Sequence, residues 1–252
     1  MKQWLLYSLA FLCSLSAFSQ EQFDSTFATD GVFILDASPD FDDYFFDMIV
    51  LPDGKIIAVG YVISESGQSD MLVVKLEEDG ALDTSFGDDG IVVLDINPWD
   101  QAFTIVPYSD GKMVIGGRSG PMSSSTQSCV VMLQADGSID ENFGTDGIFQ
   151  TALGIGSSSA NVVLIDGDNH ILVGGDSNFD IHVYKLSPLG EPVPDYGENG
   201  LSTTAFVFPL SCTDMALQPN GELVLGGKAN PFTDDIVVIR LLEDGSLDED
   251  FG

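Results

Sequence analysis

Short apolar stretches separated by small polar clusters run along the whole chain after its first twenty residues. The stretches are rich in β-branched and aromatic residues and lack a helical period, which is typical of short strands. In the first unit the pattern predicts strands at 32–36, 44–51, 55–62 and 71–77. Three later units show the same order, so we expect an all-β fold built from four-stranded units.

One segment, best seen at 83–90, marks the start of each unit. It reads Asp-x-x-Phe-Gly and ends in a further glycine, with a shortened copy before Gly200. The leading aspartates recur at nearly constant spacing, at Asp24, Asp83, Asp140, Asp195 and Asp248. A fixed period is the signature of a repeat array. We therefore place repeats at about 24–82, 83–139, 140–194 and 195–247, with a fifth beginning at 248–252.

Turn residues support this division into strands. Between the second and third strand of each unit lies an Asp-Gly, Asp-Asn or Asn-Gly pair, which predicts a type I′ hairpin turn. Glycines also close the third strand, and glycine inside a strand indicates a bulge or a close backbone approach. We interpret them as packing near a shared axis. These glycines are Gly60, Gly116, Gly117, Gly174, Gly175, Gly226 and Gly227.

Four antiparallel strands per unit without helices is the arrangement of a β-propeller blade. Four blades are enough to close a small ring, yet a fifth copy of the motif begins at 248–252. Either that stub docks beside the first unit, or the chain is part of a longer array with one exposed edge. We favour the second interpretation, in which the edge strand is prone to pairing with other chains.

The combination of three motifs resembles the bacterial delta-60 repeat family. The motifs are Pro-Asp-Gly-Lys-Ile-Ile-Ala-Val-Gly at 52–60, the Val-Val-Lys-Leu strand at 73–76, and Gly-x-Leu-Asp-x-x-Phe-Gly-x-x-Gly at 80–90. The resemblance covers essentially all of residues 20–252, with departures in the third and fourth units. It implies a β-propeller-like domain of secreted and surface proteins, and no defined activity that could be carried over.

The first 19 residues have the layout of a secretory signal peptide. A basic residue, Lys2, precedes an apolar run at 4–12, and the small-residue site Ala17-Phe18-Ser19 follows. The run is short for a bilayer span, and no second apolar stretch is long enough. Lipidation at Cys13 is disfavoured because Leu12 precedes it. We therefore predict a protein that is secreted or held at the cell surface without membrane insertion.

The chain is strongly acidic, with 40 acidic and 8 basic residues and a formal net charge of −32. Such a surface repels nucleic acid and anionic membranes and favours solubility and cations. The few basic residues recur at one strand position, at Lys75, Lys185 and Arg240, whereas the second unit has Met132 there. We expect an ion pair between this position and a repeat aspartate.

Candidate catalytic chemistry is sparse. The two histidines, His170 and His182, show no pattern of a positioned base, and Cys129 and Cys212 fall in units too far apart for a disulfide. We predict no catalytic residues and no cofactor. Calcium is the best inorganic candidate, at Asp166 and Asp168 or in the acidic stretch 40–43. Asx turns and solvated loops are the favoured interpretation of both stretches.

These observations lead to three functional hypotheses. The leading one is a non-catalytic binding or scaffolding module for a protein or a glycan, with further repeats of a longer chain as another partner. The alternative is a secreted hydrolase or lyase with a carboxylate site in the channel. Such an enzyme needs acids that lie off the repeat positions and converge within about 5 to 10 Å. The third is a purely architectural spacer.

Overall fold

A computed structural model of the chain describes residues 23–38, 41–121, 125–152, 156–177, 180–204, 210–229 and 235–252. The predicted signal peptide, Cys13 and Asp40 lie outside these ranges. Among the residues that are described, no helix has the length and hydropathy needed to span a bilayer.

The described residues form fifteen strands and one 3-10 turn, Ser109–Gly111, which confirms the all-β prediction. We group the strands into sheet 1 (β1–β4), sheet 2 (β5–β8), sheet 3 (β9–β12) and sheet 4 (β13–β15). All pairing within a sheet is antiparallel, and one parallel bridge, Ser69 with Trp99, joins sheets 1 and 2. The strands are β1 Asp43–Val50, β2 Ile56–Ile63, β3 Ser69–Leu76, β4 Ile91–Leu94, β5 Trp99–Pro107, β6 Met113–Gly120, β7 Gln127–Leu133, β8 Ile148–Thr151, β9 Ser158–Ile165, β10 Ile171–Ser177, β11 Asp180–Leu186, β12 Leu201–Thr204, β13 Leu210–Leu217, β14 Leu223–Ala229 and β15 Asp235–Leu241.

The strand that follows each motif belongs to the preceding sheet, which corrects our assignment of it to the following unit. In sheet 1, β4 comes after the motif and pairs back onto β3. The reason is that the motif itself is bonded to β3: Asp83 N–H donates to Lys75 O, and Lys75 N–H donates to Gly90 O. The predicted first strand at 32–36 forms only isolated bridges of Val32, with Ala28 and Thr29.

Successive sheets pack face to face, and the core lies between them. One cluster joins sheets 1 and 2, with Val59 and Ile115 fully buried at its centre. Equivalent clusters lie between sheets 2 and 3 and between sheets 3 and 4. On the opposite face of sheet 1, Leu72 and Val74 are covered by the segment 27–37. This segment therefore occupies the place of the outer part of a preceding blade.

A repeated contact, which we call the interblade latch, fastens each motif to the next sheet. The aromatic ring of Phe86 is fully buried, and a Cβ on Gly137 of sheet 2 would lie 3.0 Å from its Cε2 atom. Beside the ring, Gly87 N–H donates to Asp136 O at 2.8 Å. The same hydrogen bond recurs from Ala28 to Asp79 (2.6 Å), from Gly144 to Leu189 (2.7 Å) and from Gly197 to Asp244 (2.7 Å).

The strand glycines explain a bulge in every sheet. Gly117 faces the register shift between Ala102 and Thr104 on β5, and a Cβ there would overlap the Gln101 carbonyl oxygen. This confirms the predicted bulge and the predicted close backbone approach. Both occur between β5 and β6, the two strands of one hairpin. Its neighbour Gly116 is the residue that packs against the next sheet. Gly60, Gly175 and Gly227 repeat the bulge contact.

The hairpin turns differ in type from our prediction. Only Asp110-Gly111 has two successive positive φ angles, 59° and 75°, as a type I′ turn requires. In the other three turns a single residue has positive φ, namely Gly54, Asn169 or Gly221. This pattern fits a three-residue hairpin loop, in which a type I turn is followed by one left-handed residue.

We expect Phe86→Ala to lower the free energy of unfolding by about 3 to 5 kcal/mol, because it empties a buried site and releases the latch. Urea denaturation followed by circular dichroism measures this change. Phe251→Ala is the matched control, since Phe251 holds the same motif position but is 37% exposed. Its cost should stay under about 1 kcal/mol, and equal costs for the two variants would show that the latch does not join the sheets.

Candidate functional site

In each sheet a lysine or arginine forms an ion pair with an aspartate, and we call each such group an ion cluster. In sheet 1, Lys55 Nζ lies 2.9 Å and Lys75 Nζ lies 3.4 Å from Asp83 Oδ2, and the Asp83 side chain is 2% exposed. Burial alone would raise the pKa of Asp83, but hydrogen bonds from Lys55 and Ser85 and the charge of Lys75 hold it well below its usual range. Asp83 is therefore ionised at neutral pH.

Sheets 2 and 4 repeat the cluster with different cations. In sheet 2, where Met132 replaces the strand lysine, Lys112 Nζ alone reaches Asp140 at 2.6 Å. In sheet 4, Arg240 Nε donates to Asp248 Oδ2 at 2.7 Å. The bound cation lowers the pKa of each aspartate. The predicted pairing of basic residues with a repeat aspartate is confirmed in sheets 1 and 4.

The third repeat departs from this arrangement, and its motif was misaligned. Val193 N–H donates to Lys185 O as Asp83 N–H does to Lys75 O, so Val193 and not Asp195 holds the leading position. Without an aspartate there, Lys185 Nζ pairs with Asp166 Oδ2 at 3.0 Å instead. The carboxylate has moved from the motif to the hairpin turn, and the half-buried lysine keeps an anionic partner.

The calcium candidates Asp166 and Asp168 line an open cleft of about 410 Å³ between sheets 3 and 4. Asp166 is already engaged: its carboxylate accepts the backbone N–H groups of Asp168 and His170, and His170 Nδ1 lies 3.1 Å away. Burial acts to raise the pKa of Asp166, but the hydrogen bond from Lys185 and these N–H groups lower it. Asp166 therefore acts as an anion partner for Lys185.

The acidic stretch at 40–43 lies partly outside the described residues, because Asp40 is among those left out. Asp43 Oδ2 accepts the N–H groups of Ala37 at 2.8 Å and Ser38 at 3.3 Å, which closes the loop before β1. The contact is a cap on the preceding loop and not the Asx turn of our interpretation, in which the aspartate would accept from an N–H group two residues further on.

The other candidate groups are buried in the sheets. Cys129 and Cys212 are free thiols in separate sheets, which matches our interpretation of them as small buried residues. Burial raises the pKa of Cys212 to about 12. His182 is buried, its Nδ1 lies 3.1 Å from Thr203 Oγ1, and burial lowers its pKa. It is therefore neutral at pH 7.

The two ends of the array expose apolar faces of interior type. Met48 on β1 is 62% exposed, whereas Ile105 in the same register position of sheet 2 is 2% exposed. At the other end, Val238 on β15 is 51% exposed and its counterpart Val73 is fully buried. Ile236 is 88% exposed. Positions that are buried between sheets inside the array are thus exposed to solvent at its two ends.

An aromatic patch lies where sheets 1 and 2 meet at their bulges. The Tyr44 and Tyr61 rings stack with centroids 4.9 Å apart, and Phe46 meets Phe103 edge to face at 5.4 Å. The Arg118 guanidinium lies 5.5 Å from the Phe103 centroid. Tyr44 is 42% and Phe46 is 53% exposed. The patch therefore presents exposed ring faces beside a cation.

Three aspartates that sequence reasoning missed converge beside this junction. One carboxylate oxygen from each of Asp70, Asp95 and Asp100 lies within 4.8 Å of the others. Glycosidases depend on the separation of whole carboxyl groups, which a distance between single oxygens does not give, and the hydrolase alternative stays a prediction. The sequence signal for them is weak, because the same positions carry acids at Asp36, Asp43 and Asp180 in other repeats and lose them together only at Gln127, Ala152 and Ser158.

Face-to-face antiparallel sheets joined by a repeated latch define a β-propeller repeat protein. In agreement, residues 51–86, 109–143 and 218–251 match the family model described as "Domain of unknown function (DUF5122) beta-propeller". The matched segments omit the third repeat, where Val193 replaces the leading aspartate. The chain is thus similar to a β-propeller repeat family, while the delta-60 name stays a prediction. A search of curated proteins finds no match.

We expect Asp83→Asn to flatten the acid limb of the stability curve. The folded pKa of Asp83 is depressed, so its carboxylate stabilises the fold above the unfolded pKa of about 3.9, and this contribution is lost as pH falls through the folded value. At neutral pH the variant should lose about 1 to 3 kcal/mol, because Lys55 and Lys75 lose their anionic partner. Urea denaturation from pH 2 to 7 measures both effects.

The control is Asp88→Asn, which removes an exposed carboxylate of the same motif for which no side-chain hydrogen bond is found. This variant should follow the wild-type curve. If Asp83→Asn also followed it, the buried cluster would contribute nothing to the pH dependence.

Proposed function

We propose that this chain is an exported, non-catalytic binding and scaffolding module. Its end faces bind the end faces of a second copy of the same chain. The observation that carries the proposal is the exposure of interior-type residues at both ends, at Met48 and at Val238 and Ile236. Export rests on the signal-peptide pattern of the first 19 residues.

The two ends are complementary parts of one blade. Among the described residues no strand pairs with the outer edge of β15, where Leu241 forms a bridge with Leu247 and Arg240 O accepts the N–H group of Asp248. The segment 32–35 takes the place of an outer fourth strand, yet its described backbone pairing is limited to isolated bridges. By the register of β3 with β4, Ile236 would pair with Leu35 and Ile239 with Val32. Sheet 4 of one copy and 32–35 of another would together complete a blade.

Charge sets the conditions for this association. Each copy carries a formal net charge of −32, so two copies repel each other over about 10 Å at 0.1 M salt. Apolar faces must overcome this repulsion. Added salt should therefore strengthen the association, in contrast to an interface that depends on ion pairs.

We expect the wild-type chain to form a dimer in light scattering after size exclusion, with the dimer fraction rising with salt. Ile236→Glu should yield a monomer, because it places a charge in the centre of the apolar end face. Its fold should be unaffected, since Ile236 is 88% exposed. A monomeric wild type at every salt concentration would overturn the proposal.

Leu189→Glu is the matched control. Leu189 is 57% exposed in a turn of the third repeat and lies on neither end face, so this variant should remain dimeric. Loss of the dimer in both variants would assign the effect to added charge rather than to the end face.

The aromatic patch favours a glycan as a second class of ligand, because exposed rings stack on the apolar faces of sugars. Native gels cast with soluble glucans or xylans test this: the chain should be retarded, and Phe46→Ala should restore its mobility. Phe251→Ala, which removes a ring remote from the patch, should leave the retardation unchanged. Equal mobility of the wild type with and without each polysaccharide would remove the glycan candidate.

A further inference from the structure

The acidic cluster of Asp70, Asp95 and Asp100 draws its members from three elements. Asp70 lies on β3, Asp95 follows β4, and Asp100 lies on β5, so the cluster bridges sheets 1 and 2. It stands next to the parallel bridge between Ser69 and Trp99, where the two sheets join. The three carboxylate oxygens lie within 4.8 Å of one another, close enough to share one ion.

Asp100 supplies a second and independent observation. Its side chain is fully buried, and its Oδ2 atom accepts the N–H groups of Ile96 at 2.7 Å and Asn97 at 2.8 Å. Its Oδ1 atom is also buried and has no partner within hydrogen-bond geometry, although the neighbouring Ser119 hydroxyl acts to lower the pKa of this carboxyl. A buried carboxylate oxygen without a donor is costly unless something positive binds it.

The surroundings of the cluster provide no such charge. Within the described ranges, no ion pair involves Asp70, Asp95 or Asp100. Burial, followed by the mutual repulsion of the three carboxylates, raises the pKa of Asp70. Burial is also the main factor that raises the pKa of Asp100.

The cluster combines positions that carry acids one or two at a time in other repeats. Asp43 and Asp36 hold the positions of Asp100 and Asp95 in the first repeat, where Asp43 closes its loop in the same way and its Oδ1 atom is likewise buried without a hydrogen-bond partner. Asp180 holds the position of Asp70 in the third repeat. Only at the junction of sheets 1 and 2 are all three positions acidic, so the loop cap does not account for the approach of Asp70 and Asp95.

We propose that Asp70, Asp95 and Asp100 bind one hard divalent cation and that this cation is of the calcium class. All three ligands are oxygens, whereas zinc sites are built mainly from sulfur and nitrogen. Ca²⁺ also accepts irregular geometry and completes its six to eight ligands with water, which the exposed side of Asp95 admits. The ion would clamp sheet 1 to sheet 2, a role distinct from binding at the end faces.

Calorimetry of the full chain with CaCl₂ after removal of metal by EDTA tests this site, at about 0.15 M salt to suppress diffuse binding. We expect one saturable site. Asp95→Asn should weaken it by at least about tenfold, and because Asp95 is exposed the fold should survive. Terbium, a calcium substitute, gives a second readout, since Trp99 adjoins Asp100 and would sensitise its emission.

Asp36→Asn is the matched control, because Asp36 is exposed and holds the place of Asp95 in the preceding repeat. It should change calcium affinity by less than about twofold. Equal weakening in the two variants would mean that calcium senses only the net charge. That result, or a wild type without a saturable site, would overturn the proposal.

Discussion

The array depends on a contact between a buried aromatic ring and a glycine of the next sheet. Phe86, Phe143 and Tyr196 each lie against such a glycine, and a backbone hydrogen bond closes beside the ring. Only a residue without a side chain lets the ring reach this depth. The glycine also has positive φ, for example 87° at Gly137, so its backbone shape and its lack of a Cβ serve the same contact. Every sheet is thereby positioned by its predecessor.

Each ion cluster requires a cation paired with an anion, but the residues that supply the two charges differ between sheets. When Val193 removes the usual aspartate, Asp166 replaces it from another element, and when Met132 removes the usual lysine, Lys112 serves alone. A buried pair of this kind specifies geometry more readily than it adds stability. With Lys55, Lys75, Lys112, Lys185 and Arg240 held in these clusters, few cations remain to balance the acidic surface.

Local features of the fold could be predicted from the sequence, and features that depend on pairing could not. Strand positions, strand glycines and the basic residues carry their signal in a few neighbouring residues. The pairing of β4 with β3 depends on hydrogen bonds of the motif backbone, which leave no trace in residue type. Val193 was missed because Asp195 offered a false match. The Asp70, Asp95 and Asp100 cluster was missed because its members meet only when sheets 1 and 2 join.

The offset of one strand between the sequence repeat and the sheet affects how such a chain could evolve. A gene duplication that copies one repeat, from motif to motif, adds the outer strand of one blade and the three inner strands of the next. The new segment inserts without creating a junction that the protein did not already have. Arrays of different length can therefore arise by unequal recombination while every interface between neighbours keeps its geometry.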